Sequence, residues 1–203
     1  MNTVKTQVEQ IATEAKTKST TYDQLKAVHN WLTENNAYNV TAAGTENYAD
    51  STPWEAISAL TGDATLQPVC EGYAQTYCYL LSKVGVDSRM VSSSALMHAW
   101  NIVTINGKKY HVDATWDDPL ADVDGRARHS NFMCSTAKFR SAGAALHNAS
   151  DYNSEPSDTT YDNYFWQDSD SGFELCRGQI YYIDKSGDTA VPFQRTRRDR
   201  GAF

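Results

Sequence analysis

The pair Asn106-Gly107, which lies between two stretches of alternating polar and apolar residues, constrains the fold of this chain more than any other feature. The stretches cover residues 97–105 and 108–115. An Asn-Gly pair in this setting is the strongest short-range signal for a two-residue hairpin turn, because both central residues of that turn need a positive φ. The sequence therefore predicts an antiparallel β-hairpin.

The turn also sets the register of the hairpin. Counting outward from a two-residue turn pairs Trp100 with Asp113 and His98 with Thr115. Because side chains alternate between the two faces of a strand, all four lie on one face. His98 and Asp113 are then diagonal neighbours, close enough for a hydrogen bond between imidazole and carboxylate. His111 lies on the same face, nearer the turn, and is the alternative to His98 as a base. A slip of one residue would separate these pairs.

A cysteine stands at the start of the strongest predicted helix, which covers residues 69–84 and ends before Gly85. The apolar stripe of this helix consists of Val69, Tyr73, Tyr77, Leu80 and Val84. Cys70 falls in the first turn, directly after Pro68, where unpaired N–H groups and the helix dipole favour a thiolate. The Cys70 N–H can also donate to a developing oxyanion. These features predict a nucleophilic thiol.

Three short blocks carry a resemblance to a known family, and they are residues 70–74 (CEGYA), 98–101 (HAWN) and 113–118 (DATWDD). Together they resemble the transglutaminase-like superfamily, most closely its bacterial branch, which includes candidate cysteine proteases. The resemblance is tight over residues 54–118. It implies a Cys-His-Asp triad with Cys70 as nucleophile, His98 as base and Asp113 as acid. It also implies a papain-like α+β fold, in which the nucleophile-bearing helix packs against an antiparallel sheet.

Four residues near the predicted triad are candidates for contacts with the reacting groups. Gln67 and Trp54 both carry polar N–H groups upstream of the thiol, and the sequence does not choose between them as the second oxyanion donor. Gly72 in the first helical turn would let a substrate or a neighbouring backbone approach closely. Trp100 shares the hairpin face of His98 and is a candidate for contact with substrate.

The cysteines allow few other roles. Cys70 and Cys78 are predicted to share one helix, about 12 Å apart along its axis. That separation exceeds the limit of about 7 Å between Cα atoms in a disulfide. The sequence leaves open a disulfide between Cys134 and Cys176. No CxxC spacing occurs, which argues against a zinc site.

Composition excludes several classes of function. A net charge of −7 argues against a nucleic-acid partner, because phosphate contacts need a basic face. No stretch approaches the ~18 apolar residues of a membrane span, and no signal peptide is visible. The abundance of Ser, Thr, Asn and Tyr over Lys leans towards a secreted or cell-surface protein. Residues 122–125 and 168–172 are similar to calcium loops but lack the full ligand pattern, so we expect no metal and no cofactor.

The length of 203 residues suits one domain, residues 1–203, in three parts. Residues 1–50 are predicted to be helical, with a capping box over residues 21–24 and a loop from residue 35. Residues 51–135 form the catalytic core, which opens with a helix at Pro53. Residues 136–203 are β-rich and end in a solvated basic tail. Its arginines are Arg195, Arg197, Arg198 and Arg200.

The expected reaction is acyl transfer through a thioester on a peptide or protein amide. With water as acceptor the enzyme is a peptidase or deamidase, which we favour because no calcium switch or amine site is visible. With an amine as acceptor it is a cross-linking transglutaminase. Two other interpretations remain, namely a non-catalytic peptide- or cell-wall-binding module that retains the fold, and an amidase acting on carbohydrate-linked amides. The sequence does not indicate an oligomeric state.

Overall fold

The computed structural model describes residues 2–45, 52–63, 65–94, 96–118, 120, 127–141, 156–164, 174–176, 179–183 and 190–192. Helices packed on a four-stranded antiparallel sheet make this an α+β fold, as predicted. The helices are α1 (Asn2–Lys16), α2 (Thr21–Glu34), α3 (Val40–Thr45), α4 (Cys70–Val84), α5 (Ala114–Asp117) and α6 (Thr136–Ser141). The strands are β1 (Ser88–Ser93), β2 (His98–Ile105), β3 (Lys108–Val112), β4 (Phe132–Cys134), β5 (Glu174–Cys176), β6 (Gln179–Ile183) and β7 (Ala190–Pro192).

Two helices open the chain, as the apolar spacing predicted, but the cap of α2 differs from the prediction. Thr20, not Thr21, is the N-cap, and its Oγ1 accepts the N–H of Asp23 at 3.1 Å. The Thr20 hydroxyl also donates to the Asp23 carboxylate at 2.6 Å. Asp23, three residues after Thr20, hydrogen bonds with the Thr20 hydroxyl, and its negative charge lies in the first turn of the helix. The capping motif therefore begins one residue earlier than predicted.

The segment before α4 is more structured, and more tightly turned, than the sequence predicted. Residues 40–45 form the short helix α3 inside the expected loop. The helix expected from Pro53 is instead two 3-10 turns, Thr52–Trp54 and Ser58–Leu60. The predicted helix has too few apolar positions to be stabilised as a longer helix, because a short helix gains most of its stability from tertiary contacts.

Helix α4 ends as predicted, with Gly85 in the left-handed conformation at φ 93°. It packs against α1 and α2 on one side and against β1 and β2 on the other. Tyr77 and Leu80 of its predicted stripe are completely buried. Asn101 of β2 donates its side-chain N–H to the Ala74 carbonyl at 2.9 Å, which ties the sheet to this helix.

The hairpin has the predicted register. Ile105 pairs with Lys108, and the turn residues Asn106 and Gly107 have φ values of 52° and 76°. β1 pairs with the other edge of β2, and β4 pairs with β3, in the sheet order β1-β2-β3-β4.

The second strand of the hairpin is shorter than predicted. β3 ends at Val112, and Asp113 becomes the N-cap of α5, accepting the N–H of Trp116 at 3.1 Å. Thr115 therefore lies in a helical turn and not in a strand opposite His98. The cause is local, because an Asp side chain that captures a backbone N–H three residues later favours a helix start over a continued strand.

The buried core lies where α1, α2 and α4 meet the sheet, and members of it include Val8, Leu25, Leu32, Tyr77, Leu81, Val103, Val112 and Phe132. A second, smaller cluster consists of Val91, Trp100, Ile102, Cys134 and Phe139. Residues 174–192 contribute a separate three-stranded antiparallel sheet in the order β5-β6-β7, close to the strands predicted there.

Several predictions fall on residues that are not described. Both calcium-like segments and the basic tail lie outside the described residues. Within the described ranges, no helix has the length and apolar character needed to cross a membrane.

Candidate active site

Cys70 is the first residue of α4, directly after the N-cap Val69, as the sequence predicted. The Val69 N–H donates to the Pro53 carbonyl at 2.9 Å, and the Val69 carbonyl accepts the Tyr73 N–H at 3.0 Å. Cys70 is half-buried. The helix N-terminus is therefore anchored to the 3-10 turn before it, and its first-turn N–H groups surround a thiol that a substrate can reach.

Gly72 is the reason that α4 and the 3-10 turn come so close. A Cβ at this position would lie 2.5 Å from the Pro53 carbonyl oxygen and 2.8 Å from Ser58 Oγ. The neighbouring backbone, and not a substrate, therefore requires glycine here. Of the two roles that the sequence allowed, only close backbone packing is supported, and Gly72 acts on the site through the position of the helix.

His98 and Asp113 are brought together across the hairpin. His98 Nε2 lies 2.7 Å from Asp113 Oδ2, and only 8% and 1% of the two side chains are exposed. The other Asp113 oxygen accepts the Trp116 N–H, and the Asp113 N–H donates to the Asn131 carbonyl at 2.9 Å. The hydrogen bond from Trp116 therefore fixes the Asp113 carboxylate in the position from which it orients the imidazole.

The Cys70 side chain is a neighbour of the His98 imidazole and contributes to its pKa. Burial by itself lowers the pKa of His98, but the charge and hydrogen bond of Asp113 and the neighbouring Cys70 together raise that pKa to about 10. Because Nε2 is bound to Asp113, Nδ1 is the nitrogen left to face the thiol. The three predicted triad residues therefore lie together, with a hydrogen bond between His98 and Asp113.

Two tryptophan rings contact the His98 imidazole. Trp100 is nearly parallel to it, with ring centroids 6.0 Å apart, and Trp116 lies at 5.4 Å. Trp100 is 1% exposed, so it supports the histidine and is not a surface for substrate, contrary to the sequence-based expectation. Trp116 is 37% exposed and is the aromatic ring at the rim of the site.

His111, the alternative base, has a different role. It is completely buried, its Nδ1 accepts the Trp100 indole N–H at 3.0 Å, and its Nε2 lies 2.9 Å from Thr136 Oγ1. With Nδ1 accepting, Nε2 carries the proton and donates to the threonine. His111 therefore holds Trp100 in place and has no nitrogen available for acid–base chemistry.

Two carboxylates of the 113–118 block, Asp117 and Asp118, form buried hydrogen bonds next to the site. Asp118 accepts a very short hydrogen bond from the hydroxyl of Tyr73, one turn along α4 from the thiol. Asp117 Oδ2 lies 3.1 Å from His29 Nε2, and Asp117 Oδ1 accepts the N–H of Asn131 at 2.9 Å. The adjacent acidic residues in the 113–118 block were the available signal, but their partners are remote in sequence.

The two candidate oxyanion donors lie on one side of the site. Gln67 and Trp54 line a cavity of about 580 Å³. The oxygen of the Gln67 amide accepts the Ala37 N–H at 2.8 Å. A second cavity, of about 440 Å³, contains His98 and Trp116. Tyr38, which sequence reasoning did not select, lines both cavities.

The other described thiols lack the surroundings of a nucleophile. Burial raises the pKa of the Cys78 thiol, which accepts a hydrogen bond from Asn101 at 3.1 Å. Cys134 is completely buried, and its thiol donates to the Ser130 carbonyl at 3.4 Å. The side chain of Cys176, its possible disulfide partner in the sequence, lies outside the described residues. Among the described residues, no group of three or more His, Cys, Asp or Glu side chains could hold a metal ion.

The sequence and fold match known proteins as follows. The model of the transglutaminase-like superfamily matches residues 9–114, more than half of the chain. No curated protein matches the chain significantly. A solved structure of a TGase is 20% identical over 56% of this chain and 31% of its own, with a TM-score of 0.46. That of a candidate cysteine protease from Cytophaga hutchinsonii is 19% identical over 56% of this chain and 39% of its own, with a TM-score of 0.40.

The chain thus spans between 31% and 39% of the length of these two solved proteins, whereas the family match extends over more than half of the chain itself. The matched region includes Cys70, His98 and Asp113. On that match, this chain belongs to the transglutaminase-like superfamily.

Proposed function

We propose that this protein is a cysteine-dependent acyl-transfer enzyme that hydrolyses amide bonds of peptides or proteins. The observation that carries this proposal is the position of the His98 ring between the Asp113 carboxylate, at 2.7 Å, and the side chain of Cys70. A thiol at a helix N-terminus, a base in contact with it and a buried carboxylate that orients the base are the components of nucleophilic catalysis.

In the proposed reaction the Cys70 thiolate attacks the amide carbonyl carbon, and the C–S bond forms as the carbonyl electrons move to oxygen. The C–N bond then breaks, and the leaving nitrogen takes a proton from His98. The thioester is hydrolysed when His98 takes a proton from water and the hydroxide attacks the same carbon. The C–S bond then breaks, which releases the carboxylic acid and restores the Cys70 thiolate beside the protonated His98. Asp113 keeps its charge throughout and holds the imidazole in orientation.

The two cavities that share Tyr38 offer room for a substrate. Because His98 must protonate the leaving nitrogen, the cavity that contains His98, Trp116 and Leu120 is the side of the leaving amine. The cavity that contains Trp54 and Gln67 is then the side of the acyl group. Space on both sides supports a substrate that continues beyond the bond, such as a peptide.

The first experiment tests the thiol. Iodoacetamide should alkylate Cys70 much faster at pH 6–7 than Cys78, whose pKa is raised by burial, and His98→Ala should remove that advantage. The sites and rates can be followed by mass spectrometry of peptides. Slow labelling of Cys70, at or below the rate of Cys78, would favour a binding module that retains the fold.

The second experiment tests the acceptor. The protein is incubated with a peptide library with and without a labelled primary amine, and Cys70→Ala is the control. Cleavage or ammonia release that does not depend on the amine indicates hydrolysis, which we expect. Incorporation of the amine as the main product would identify a transglutaminase, and no Cys70-dependent product in either reaction would contradict catalysis.

A further inference from the structure

We propose that the Tyr38 hydroxyl is a further catalytic group, the second hydrogen-bond donor to the oxyanion that forms when Cys70 attacks a carbonyl. The inference rests on the proposed function, and it replaces the choice between Gln67 and Trp54 with a residue from the N-terminal helical part of the chain.

The backbone around Tyr38 is attached to the segment that leads into the nucleophile. The Ala37 N–H donates to the Gln67 side-chain oxygen at 2.8 Å. The Asn39 N–H donates to the Pro68 carbonyl at 3.0 Å, and its side-chain N–H donates to the Gln67 carbonyl at 3.0 Å. Three hydrogen bonds, one from Ala37 and two from Asn39, therefore hold Tyr38 between them at a fixed distance from residues 67–68. Gln67 contributes to the site as part of this attachment.

The Tyr38 side chain lies between the two cavities. It lines the cavity that contains Gln67 and Trp54, and it also lines the cavity that contains His98. Of the three candidate donors, only Tyr38 contacts both spaces. A carbonyl whose acyl part lies in one cavity and whose leaving nitrogen lies in the other would lie next to Tyr38.

The hydroxyl of Tyr38 is available as a donor. It makes no hydrogen bond to any other residue within the described ranges. Burial raises the pKa of Tyr38, and the charges of Cys70 and Asp113 raise it further. A phenol in these surroundings stays protonated over the working range of pH and donates to a negatively charged oxygen.

Tyr38 takes part in the proposed step only as a hydrogen-bond donor. As the C–S bond forms, the carbonyl electrons move to oxygen, and the oxyanion accepts hydrogen bonds from the Cys70 N–H and the Tyr38 O–H. When the C–N bond breaks, the electrons return to re-form the carbonyl, and the leaving nitrogen takes its proton from His98. Tyr38 keeps its proton throughout.

The test compares two reactions of the same thiol. Acylation of Cys70 by p-nitrophenyl acetate passes through an oxyanion, whereas alkylation by iodoacetamide does not. Tyr38→Phe should slow acylation about 100-fold, the usual effect of losing one oxyanion donor. It should leave the alkylation rate within about twofold of the wild type, which also shows that the site has folded. Tyr79→Phe, at an exposed tyrosine of α4, is the matched control and should change neither rate.

The outcomes separate the two proposals. Acylation of Tyr38→Phe at the wild-type rate, or an equal loss in both reactions, would overturn the role of Tyr38 while leaving a reactive triad. A wild-type Cys70 that neither reagent modifies in a His98-dependent way would instead overturn the proposed function. If Tyr38→Phe does not fold, Tyr38→Gln and Tyr38→Leu replace it, and the proposal requires faster acylation in the variant that keeps an N–H donor.

Discussion

At the scale of single residues, His98 shows how contacts can outweigh burial. Desolvation disfavours an imidazolium, yet the Asp113 carboxylate and the Cys70 side chain raise the pKa of His98 to about 10. The pair of His98 and Asp113 is therefore charged over most of the pH range in which a protein is handled, and it should contribute to stability as well as to chemistry.

This pair predicts a pH dependence of stability. Because the folded-state pKa of His98, about 10, lies above its ordinary value of 6.5, the stabilisation is complete below pH 6.5 and is lost as the pH rises to about 10. The free energy of unfolding, measured with urea at several pH values, should therefore fall for the wild type relative to His98→Gln. The expected change is a few kcal/mol, because a tenfold change in the protonation equilibrium constant corresponds to about 1.4 kcal/mol. A difference that stays constant from pH 6 to 10 would contradict the assignment.

Gly72 supplies a second prediction at this scale. Gly→Ala within a helix usually stabilises a protein by about 1 kcal/mol. Here the new Cβ would meet the Pro53 carbonyl at 2.5 Å, so Gly72→Ala should destabilise the fold by roughly 1–3 kcal/mol. It should also slow alkylation of Cys70. Gly44→Ala in α3, where nothing lies within 4 Å, is the control and should be neutral or stabilising in the same urea titration.

At the scale of elements, the turn of the hairpin decides which side chains face one another. Asn106 and Gly107 both adopt positive φ, and the pairing of Ile105 with Lys108 follows from their turn. Beyond Val112 the capping of α5 takes over, and it places the Asp113 carboxylate beside His98. The base and its carboxylate thus depend on two adjacent local structures, a turn and a helix cap.

The turn can be tested with a pair of substitutions. Gly107→Val should lower the free energy of unfolding by about 1–2 kcal/mol, because a branched residue resists the left-handed conformation. A Cβ at Gly107 meets nothing within 4 Å, so backbone conformation alone accounts for the loss. Asn106→Gly, which removes the same kind of strain one residue earlier, should be neutral or stabilising. Equal effects of the two substitutions in thermal unfolding would refute this view of the turn.

At the scale of the whole molecule, a buried hydrogen-bond network joins α2 to the site. His29 of α2 and Asp117 of α5 are both 0% exposed, and 88 residues separate them in sequence. Asp117 also accepts the backbone and side-chain N–H groups of Asn131, at 2.9 and 3.1 Å. Because α5 begins at the Asp113 cap, this network helps to hold the Asp113 carboxylate in place.

Removing the centre of this network should have a large effect. Asp117→Ala leaves the buried donors of Asn131 without their acceptor, and we expect a loss of about 3 kcal/mol or more in urea-induced unfolding. The exposed pair of Lys5 and Glu9, 3.9 Å apart, provides the contrast, since Lys5→Ala should change stability by ~0.5 kcal/mol or less. Similar losses in both variants would mean that Asp117 is not a structural centre.

The sequence alone predicted the structural features that depend on local interactions. Asn106-Gly107 predicted the hairpin and its register, Gly85 predicted the end of α4, and the apolar spacing predicted its buried stripe. These features depend on backbone conformation and on neighbours within a few residues, and a sequence displays both directly. The same local signals were incomplete where a side chain had two uses, as for Asp113, which caps a helix instead of extending a strand.

Only the tertiary structure decided the functions of residues whose partners are remote in sequence. Gly72 is required by the Pro53 carbonyl, His111 is occupied by Trp100 and Thr136, and Tyr38 reaches both cavities through its attachment to residues 67–68. The physical reason is that packing and buried hydrogen bonds depend on distance in space. Propensity and alternation predict each element, but they do not specify which elements meet or how closely.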